Sequence, residues 1–141
     1  MNITVGCDPD AGGAQRVSEF AKHLDSDSLV LKKYRNRSTG EVTIEDPDLD
    51  IRGRDALLVD DIISSGGSII AATEVLRRKG ANRVYAMCAH ALLLGDAAEK
   101  ITKAGVDEII ATNSIPNQFS KVDLSHAISE LLLKRYGMRS S

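Results

Sequence analysis

Tryptophan is absent from this 141-residue chain, and only two phenylalanines and three tyrosines are present. So few rings leave no stacking platform for bases or single-stranded nucleic acid. Charge is balanced: 18 Lys and Arg stand against 20 Asp and Glu, for a net charge of −2. With no basic excess, nucleic acid is not expected as a partner, and any affinity for phosphate must be local. No apolar run approaches the roughly 18 residues a membrane span needs. Met1-Asn2 passes directly into Ile3-Thr4-Val5 without a signal-peptide pattern, so no membrane partner and a cytoplasmic location are expected. The two cysteines, Cys7 and Cys88, fall in apolar strand-like segments without partners at metal-ligand spacing. They read as reduced, small core residues. The remaining composition, 43% hydrophobic and 27% charged, suits one folded domain spanning 1–141 with a sound core.

The most informative stretch runs from Ala56 to Ser68: Ala-Leu-Leu-Val-Asp-Asp-Ile-Ile-Ser-Ser-Gly-Gly-Ser. Its wholly apolar start, Ala56 to Val59, predicts a strand buried on both faces of a parallel sheet. Asp60 and Asp61 stand where that strand is expected to emerge. A turn rich in hydroxyls and glycine follows, then an amphipathic helix. Glycines let backbone N–H groups converge on an anion, and the helix N-terminus adds its dipole. Paired carboxylates beside such a cradle suit sugar hydroxyls or hydrated Mg²⁺. A phosphorylated sugar fits this order of groups. The alternative is a plain strand–turn–helix whose acids only solvate the strand end.

Strand-like and helix-like segments alternate along the chain. Strands are expected at Ile3–Gly6, Leu29–Leu31, Val42–Ile44, Ala56–Val59, Val84–Ala89 and Glu108–Ala111. Helices are expected over 11–24 (Ala14, Val17, Ala21 and Leu24 on one face) and after the central turn (Ile69, Ala72, Thr73 and Leu76), with a stop at Gly80. Two more are expected over 96–104, ending at Gly105, and over 124–135, with Leu124, Ala127, Ile128, Leu131 and Leu132 stacked. Helical crossovers between short apolar strands make this an α/β fold, a doubly wound, mostly parallel sheet flanked by helices. Ligands of such sheets bind at strand carboxyl ends near a topological switch point, where Asp60 and Asp61 are placed.

Asp8-Pro9-Asp10-Ala11-Gly12-Gly13 again puts acids and glycines after a strand and before a helix. It reads either as a helix-entry turn with an Asp cap or as part of the same site. Lys32-Lys33-Tyr34-Arg35-Asn36-Arg37 opens a polar stretch, expected as a mobile loop over 34–40. It reads as a solvated face or as a cationic clamp. His90 ends the Val84 strand, and His23 and His126 fall on helix surfaces.

The Ala56–Ser68 segment resembles the phosphoribosyl diphosphate (PRPP) signature of type I phosphoribosyltransferases and PRPP synthetases. The resemblance extends from Val5 to Leu133 and matches the carboxyl-terminal half of archaeal-type PRPP synthetases. It implies a phosphoribosyltransferase-like fold and a site for ribose 5-phosphate or PRPP on Asp60, Asp61, Ser64, Ser65, Gly66, Gly67 and Ser68. Asp10, Ala11, Gly12 and Gly13 would form the diphosphate loop, and Asp10, Asp60 and Asp61 would hold Mg²⁺. Lys33 and Arg35, at the family's Lys-x-Arg spacing, would be the catalytic cations on the diphosphoryl group coming from ATP. Two departures stand out: Ser64 replaces an acid common in the family, and Asp8 replaces a serine. The resemblance gives His90 a structural or regulatory role. It also implies partnership with an amino-terminal-type synthetase domain, or a homo-oligomer, to complete the ATP site. A small phosphoribosyltransferase and a non-catalytic PRPP-binding regulatory subunit are the other readings.

Overall fold

The computed structural model describes residues 2–7 and 11–138. The strands are β1 (Ile3–Gly6), β2 (Asp27–Val30), β3 (Lys33–Arg35), β4 (Val42–Ile44), β5 (Asp55–Ile63), β6 (Arg83–Ala91), β7 (Glu108–Thr112) and β8 (Ser120–Val122). The helices are α1 (Ala11–Leu24), α2 (Gly67–Arg78), α3 (Ala97–Ala104) and α4 (Leu124–Tyr136). Six strands form one parallel sheet in the order β2-β1-β5-β6-β7-β8, and β3 and β4 form a separate antiparallel hairpin.

This order explains where a site can form. From β1 the chain steps to one side for β2, then returns to the other side of β1 for β5. The switch point is therefore the gap between the carboxyl ends of β1 and β5. Helix α1 lies over β1, β2 and β5, while α2 packs on β5, β6, the hairpin strand β4 and α3. The core is the layer of Ile3, Val5, Leu58, Val84, Ala86, Cys88, Ile109 and Ala111 with Ile69, Leu76 and Ile101 from the helices. At Gly6, an added Cβ would collide with Val17 of α1, so glycine is what lets this helix close onto β1. Behind the sheet, Arg77 joins three connections. It donates to the carbonyls of Gly105 (3.0 and 2.6 Å) and Asn82 (2.8 Å) and to the Asp107 carboxylate (2.7 Å).

Several elements differ from the sequence expectation. β5 does not stop at Val59: it continues through Asp60 and Asp61 and pairs Ile62 with His90 and Ile63 with Ala91. The acids still emerge on the β1 side, because β1 ends at the Gly6–Val59 pair. His90 is accordingly inside β6 rather than at its end. The stretch expected as a loop over 34–40 is half hairpin, with Lys33, Tyr34 and Arg35 paired to Ile44, Thr43 and Val42. The turn is closed by Asn36, whose side-chain oxygen accepts from Ser38 and Thr39 N–H groups. A three-residue strand with two cations has no apolar alternation to reveal it, and β8 (Ser-Lys-Val) is equally silent. On α1 the buried positions are Gly13, Val17 and Ala21, while Ala14 and Leu24 are exposed. Helix α4 forms as expected, but none of its residues is fully buried: Leu124 and Leu132 are half-buried, while Ile128 and Leu131 are exposed. Cys7 and Cys88 are buried, as expected. No described helix is long and apolar enough to cross a membrane.

Candidate functional site

The loop after β5 owes its shape to backbone bonds. The Ile63 carbonyl accepts from Leu92 and Leu93 N–H, and the Ser64 carbonyl from Leu94 N–H, which ties the loop to the end of β6. Gly66 then turns the chain into α2 at φ 83°, a left-handed value that disfavours a Cβ, and an added Cβ would stand 2.8 Å from Ile101 Cδ1. No side chain caps α2, so its first N–H groups, which have no intrahelical acceptor, face the loop's concavity.

Two cations complete the concavity. Strand alternation puts Lys33 and Arg35 on one side of β3, with Tyr34 on the other, where its hydroxyl donates to Glu45 (3.3 Å). Lys33 Nζ donates to Ser68 Oγ across 3.2 Å. A cavity of about 200 Å³ is lined by Lys33, Arg35, Asp60 and the whole 62–69 turn. The structure thus brings together Lys33, Arg35, Asp60, Ser64, Ser65, Gly66, Gly67 and Ser68. Cys7, just past β1, touches the Ser68 carbonyl, which places the two strand ends side by side as the switch point requires.

Asp60 and Asp61 are placed between two cavities. Asp60 borders the cavity with Lys33. Asp61 instead lines a larger, apolar cavity of about 460 Å³ on the α1 side with Arg16, Phe20 and Met87; Asp60 borders this one too. Burial, helped by the adjacent Asp61 carboxyl, pushes the Asp60 carboxyl up to about 6, with Lys33 pulling the other way. A hydrogen bond to the Asp60 carboxyl holds Asp61 below the ordinary range, and Arg16 at 3.7 Å adds to this. The pair therefore holds one proton on Asp60 as the pH falls towards 6. Arg16 was not foreshadowed by sequence: it flanks the buried stripe of α1 one residue before Val17, and helical spacing alone gives it no role.

Of the diphosphate segment, Asp8 and Asp10 lie outside the described residues. Ala11, Gly12 and Gly13 form the first turn of α1, and Gly13 is buried. His90 is exposed and bonded to Ser114 Oγ (2.7 Å). Among the described residues, no three of His, Cys, Asp and Glu come together as a metal cage. The donors present are hard oxygens, two adjacent carboxylates and serine hydroxyls. That set fits Mg²⁺, which commonly binds through one or two carboxylates and keeps waters or substrate phosphates.

Residues 11–133 match the family described as Phosphoribosyl synthetase-associated domain. The ribose-phosphate pyrophosphokinase of Sulfurisphaera tokodaii is 42% identical over 125 residues, covering 86% of this chain and 43% of that protein. The enzyme of that name from Aeropyrum pernix is 43% identical over 115 residues, covering 81% and 37%. The chain thus spans less than half the length of these relatives. Among solved structures, phosphoribosylpyrophosphate synthetase from Mycobacterium smegmatis aligns with a TM-score of 0.70 at 22% identity, over 96% of this chain and 45% of that one. Purine phosphoribosyltransferase from Pyrococcus horikoshii aligns at 0.59 and 16% identity, over 78% and 69%. At such identities these two likenesses speak to the fold, which is that of the type I phosphoribosyltransferases.

Proposed function

The chain belongs to the phosphoribosyl synthetase-associated domain family, and from that premise we propose that it is the ribose 5-phosphate- and PRPP-binding domain of a PRPP synthetase. In that reaction the C1 hydroxyl of ribose 5-phosphate attacks the β-phosphorus of ATP, and AMP leaves. The observation that carries the reading is the cavity in which Lys33, Arg35, Asp60 and the uncapped N-terminus of α2 converge.

The 5-phosphate is assigned to the 64–68 turn, where backbone N–H groups and serine hydroxyls donate to it. Asp60 accepts from a ribose hydroxyl, and the charge of Asp61 serves a cation shared with the diphosphate. Asp60, Asp61 and Asp10 are the residues assigned to Mg²⁺, which would neutralise phosphate charge and orient the diphosphate. Ala11, Gly12 and Gly13 are assigned to the diphosphate itself through the first turn of α1. Lys33 and Arg35 offset the negative charge that spreads over the equatorial oxygens during transfer. No protein nucleophile is required, so positioning carries the catalysis. The adenine side of ATP is assigned to an amino-terminal-type domain or to another subunit.

The test is a transfer assay with radiolabelled ATP and ribose 5-phosphate, run with and without a candidate amino-terminal-type domain, alongside calorimetry with PRPP. Transfer only with the added domain supports the proposal. Consumption of PRPP with a free base would instead make the chain a phosphoribosyltransferase. Binding without transfer under every condition would make it a regulatory subunit.

A further inference from the structure

Val17 of α1 packs on Gly6, the last residue of β1, and this sets the preceding residue, Arg16, at the switch point. The Arg16 side chain is 28% exposed and lines the cavity of about 460 Å³ with Asp60, Asp61, Phe20 and Met87. It is paired with Asp61, but only at 3.7 Å from Nη2 to Oδ2, beyond hydrogen-bond reach. The other oxygen of that carboxylate already accepts from the Ile62 N–H at 2.8 Å. Among the described residues the guanidinium of Arg16 donates no hydrogen bond. Arg54 and Arg77, with side chains 16% and 30% exposed, each donate several. Arg16 is therefore a partly desolvated fork of five donors that the folded chain leaves without an acceptor.

The helix gives this fork a direction. Helical side chains lean towards the N-terminus of their helix and cover the turn before their own. For Arg16 that turn holds Gly12 and Gly13, four and three residues back, and neither has a side chain to occupy the space. Those glycines are assigned above to the diphosphate, and Asp61 is assigned to Mg²⁺. Each member of the loose Arg16–Asp61 pair thus has a stronger partner of opposite charge in the incoming substrate, a metal for the carboxylate and phosphoryl oxygens for the guanidinium.

We propose that Arg16 is a diphosphate-binding residue, and that its pairing with Asp61 is a resting contact exchanged when Mg²⁺ and diphosphate enter together. The guanidinium passes to the phosphoryl oxygens as Asp61 passes to the metal. Arg16 grips the diphosphate from the α1 side, while Lys33 and Arg35 stand in the cavity at the 62–69 turn. The proposal rests on the assignment of the diphosphate to the first turn of α1. It is tested with inorganic diphosphate as well as with sugar phosphates, so the two readings can fail separately.

Calorimetry in excess Mg²⁺ compares wild type with Arg16→Ala. Affinity for inorganic diphosphate and for PRPP should fall by about tenfold to a hundredfold, the range of one hydrogen bond to a charged group. Ribose 5-phosphate affinity should be unchanged, and the melting temperature should move by no more than about 2 °C, since a loose ion pair contributes little to folding. Mn²⁺ alone, followed by electron paramagnetic resonance, should bind Arg16→Ala more tightly than wild type, because the cation competing for Asp61 is gone. Opposite signs for metal and diphosphate are what a merely structural arginine would not produce. Undiminished diphosphate and PRPP affinity would overturn the proposal, as would an equal fall for ribose 5-phosphate or a Mn²⁺ affinity that stays level or drops. A wild-type chain that binds diphosphate through Arg16 but neither sugar phosphate would support this proposal and sink the sugar-phosphate reading instead.

Discussion

The Lys33 ammonium and the Ser68 hydroxyl, 35 residues apart in sequence, meet at 3.2 Å and join the hairpin to the first turn of α2. The cation is therefore already at the edge of the proposed phosphate cradle rather than waiting on a distant flap. Lys33→Ala should weaken ribose 5-phosphate binding by about tenfold to a hundredfold, the range of one charge-assisted hydrogen bond, as well as removing transfer in the reconstituted enzyme. Calorimetry at fixed ionic strength reads the first effect. Undiminished affinity would confine Lys33 to the transfer step.

Gly66→Ala should cost about 2 kcal/mol, from the left-handed backbone together with the close Ile101 methyl. Because the same residue turns the chain into α2, phosphate binding should fall with it. Chemical denaturation measures the first loss and calorimetry the second. Gly95→Ala is the control for positive φ, since nothing lies within 4 Å of its added Cβ.

Asp60 titrates near 6 in the fold, against 3.8 for a free side chain. The raised value means that the folded state favours the acid form. Its contribution to stability is present below pH 4 and is lost as the pH rises through 6. Asp60→Asn should therefore raise the melting temperature relative to wild type above pH 6, with the gap closing towards pH 4. It should also weaken ribose 5-phosphate binding in the presence of Mg²⁺. Melting curves across pH 4–7 that run parallel for the two proteins would contradict the burial of this carboxyl.

Arg77 provides the opposite case, a residue remote from the site. Arg77→Ala removes the guanidinium donor from the Gly105 and Asn82 carbonyls and from the Asp107 carboxylate, which keeps only the Val84 N–H. A loss of about 3 kcal/mol is expected, or about 10 °C in melting temperature for a chain of this size. Ribose 5-phosphate affinity at 20 °C should be unchanged.

The parallel sheet and its switch point were legible because Ala56–Val59 and Val84–Ala89 are apolar runs that only buried strands use, and Gly66-Gly67 punctuates the first of them. What the residues could not reveal is which way each acid faces. Asp60 and Asp61 read as a pair, yet only Asp60 also reaches the cavity at the 62–69 turn, because the strand runs on through both, a matter of strand length that apolar pattern does not encode past Val59. The hairpin was hidden for a related reason. Lys33, Tyr34 and Arg35 have no apolar partner among themselves, and their apolar anchors, the buried Ile44 and the half-buried Val42, stand across the ladder. Helix α4 shows the converse: its leucines correctly signalled a helix, but a stripe indicates that a face seeks cover and not where that cover lies.

The hairpin's construction has a consequence for the entropy of substrate binding. Its root is fixed by the buried Ile44 and by the Glu45 N–H to Lys32 carbonyl bond, while its strands are cross-bonded up to the Asn36 turn. Lys33 and Arg35, about 7 Å apart along one strand, are thus held as teeth on a single stiff arm, Lys33 at its anchored root. Docking such an arm on a substrate forfeits the freedom of a few hinge bonds, where a limp segment of seven residues would forfeit that of every bond in it. The cations can accordingly receive a substrate with little entropic toll, and the tip residues Arg37, Ser38 and Thr39 are free to vary without altering their spacing.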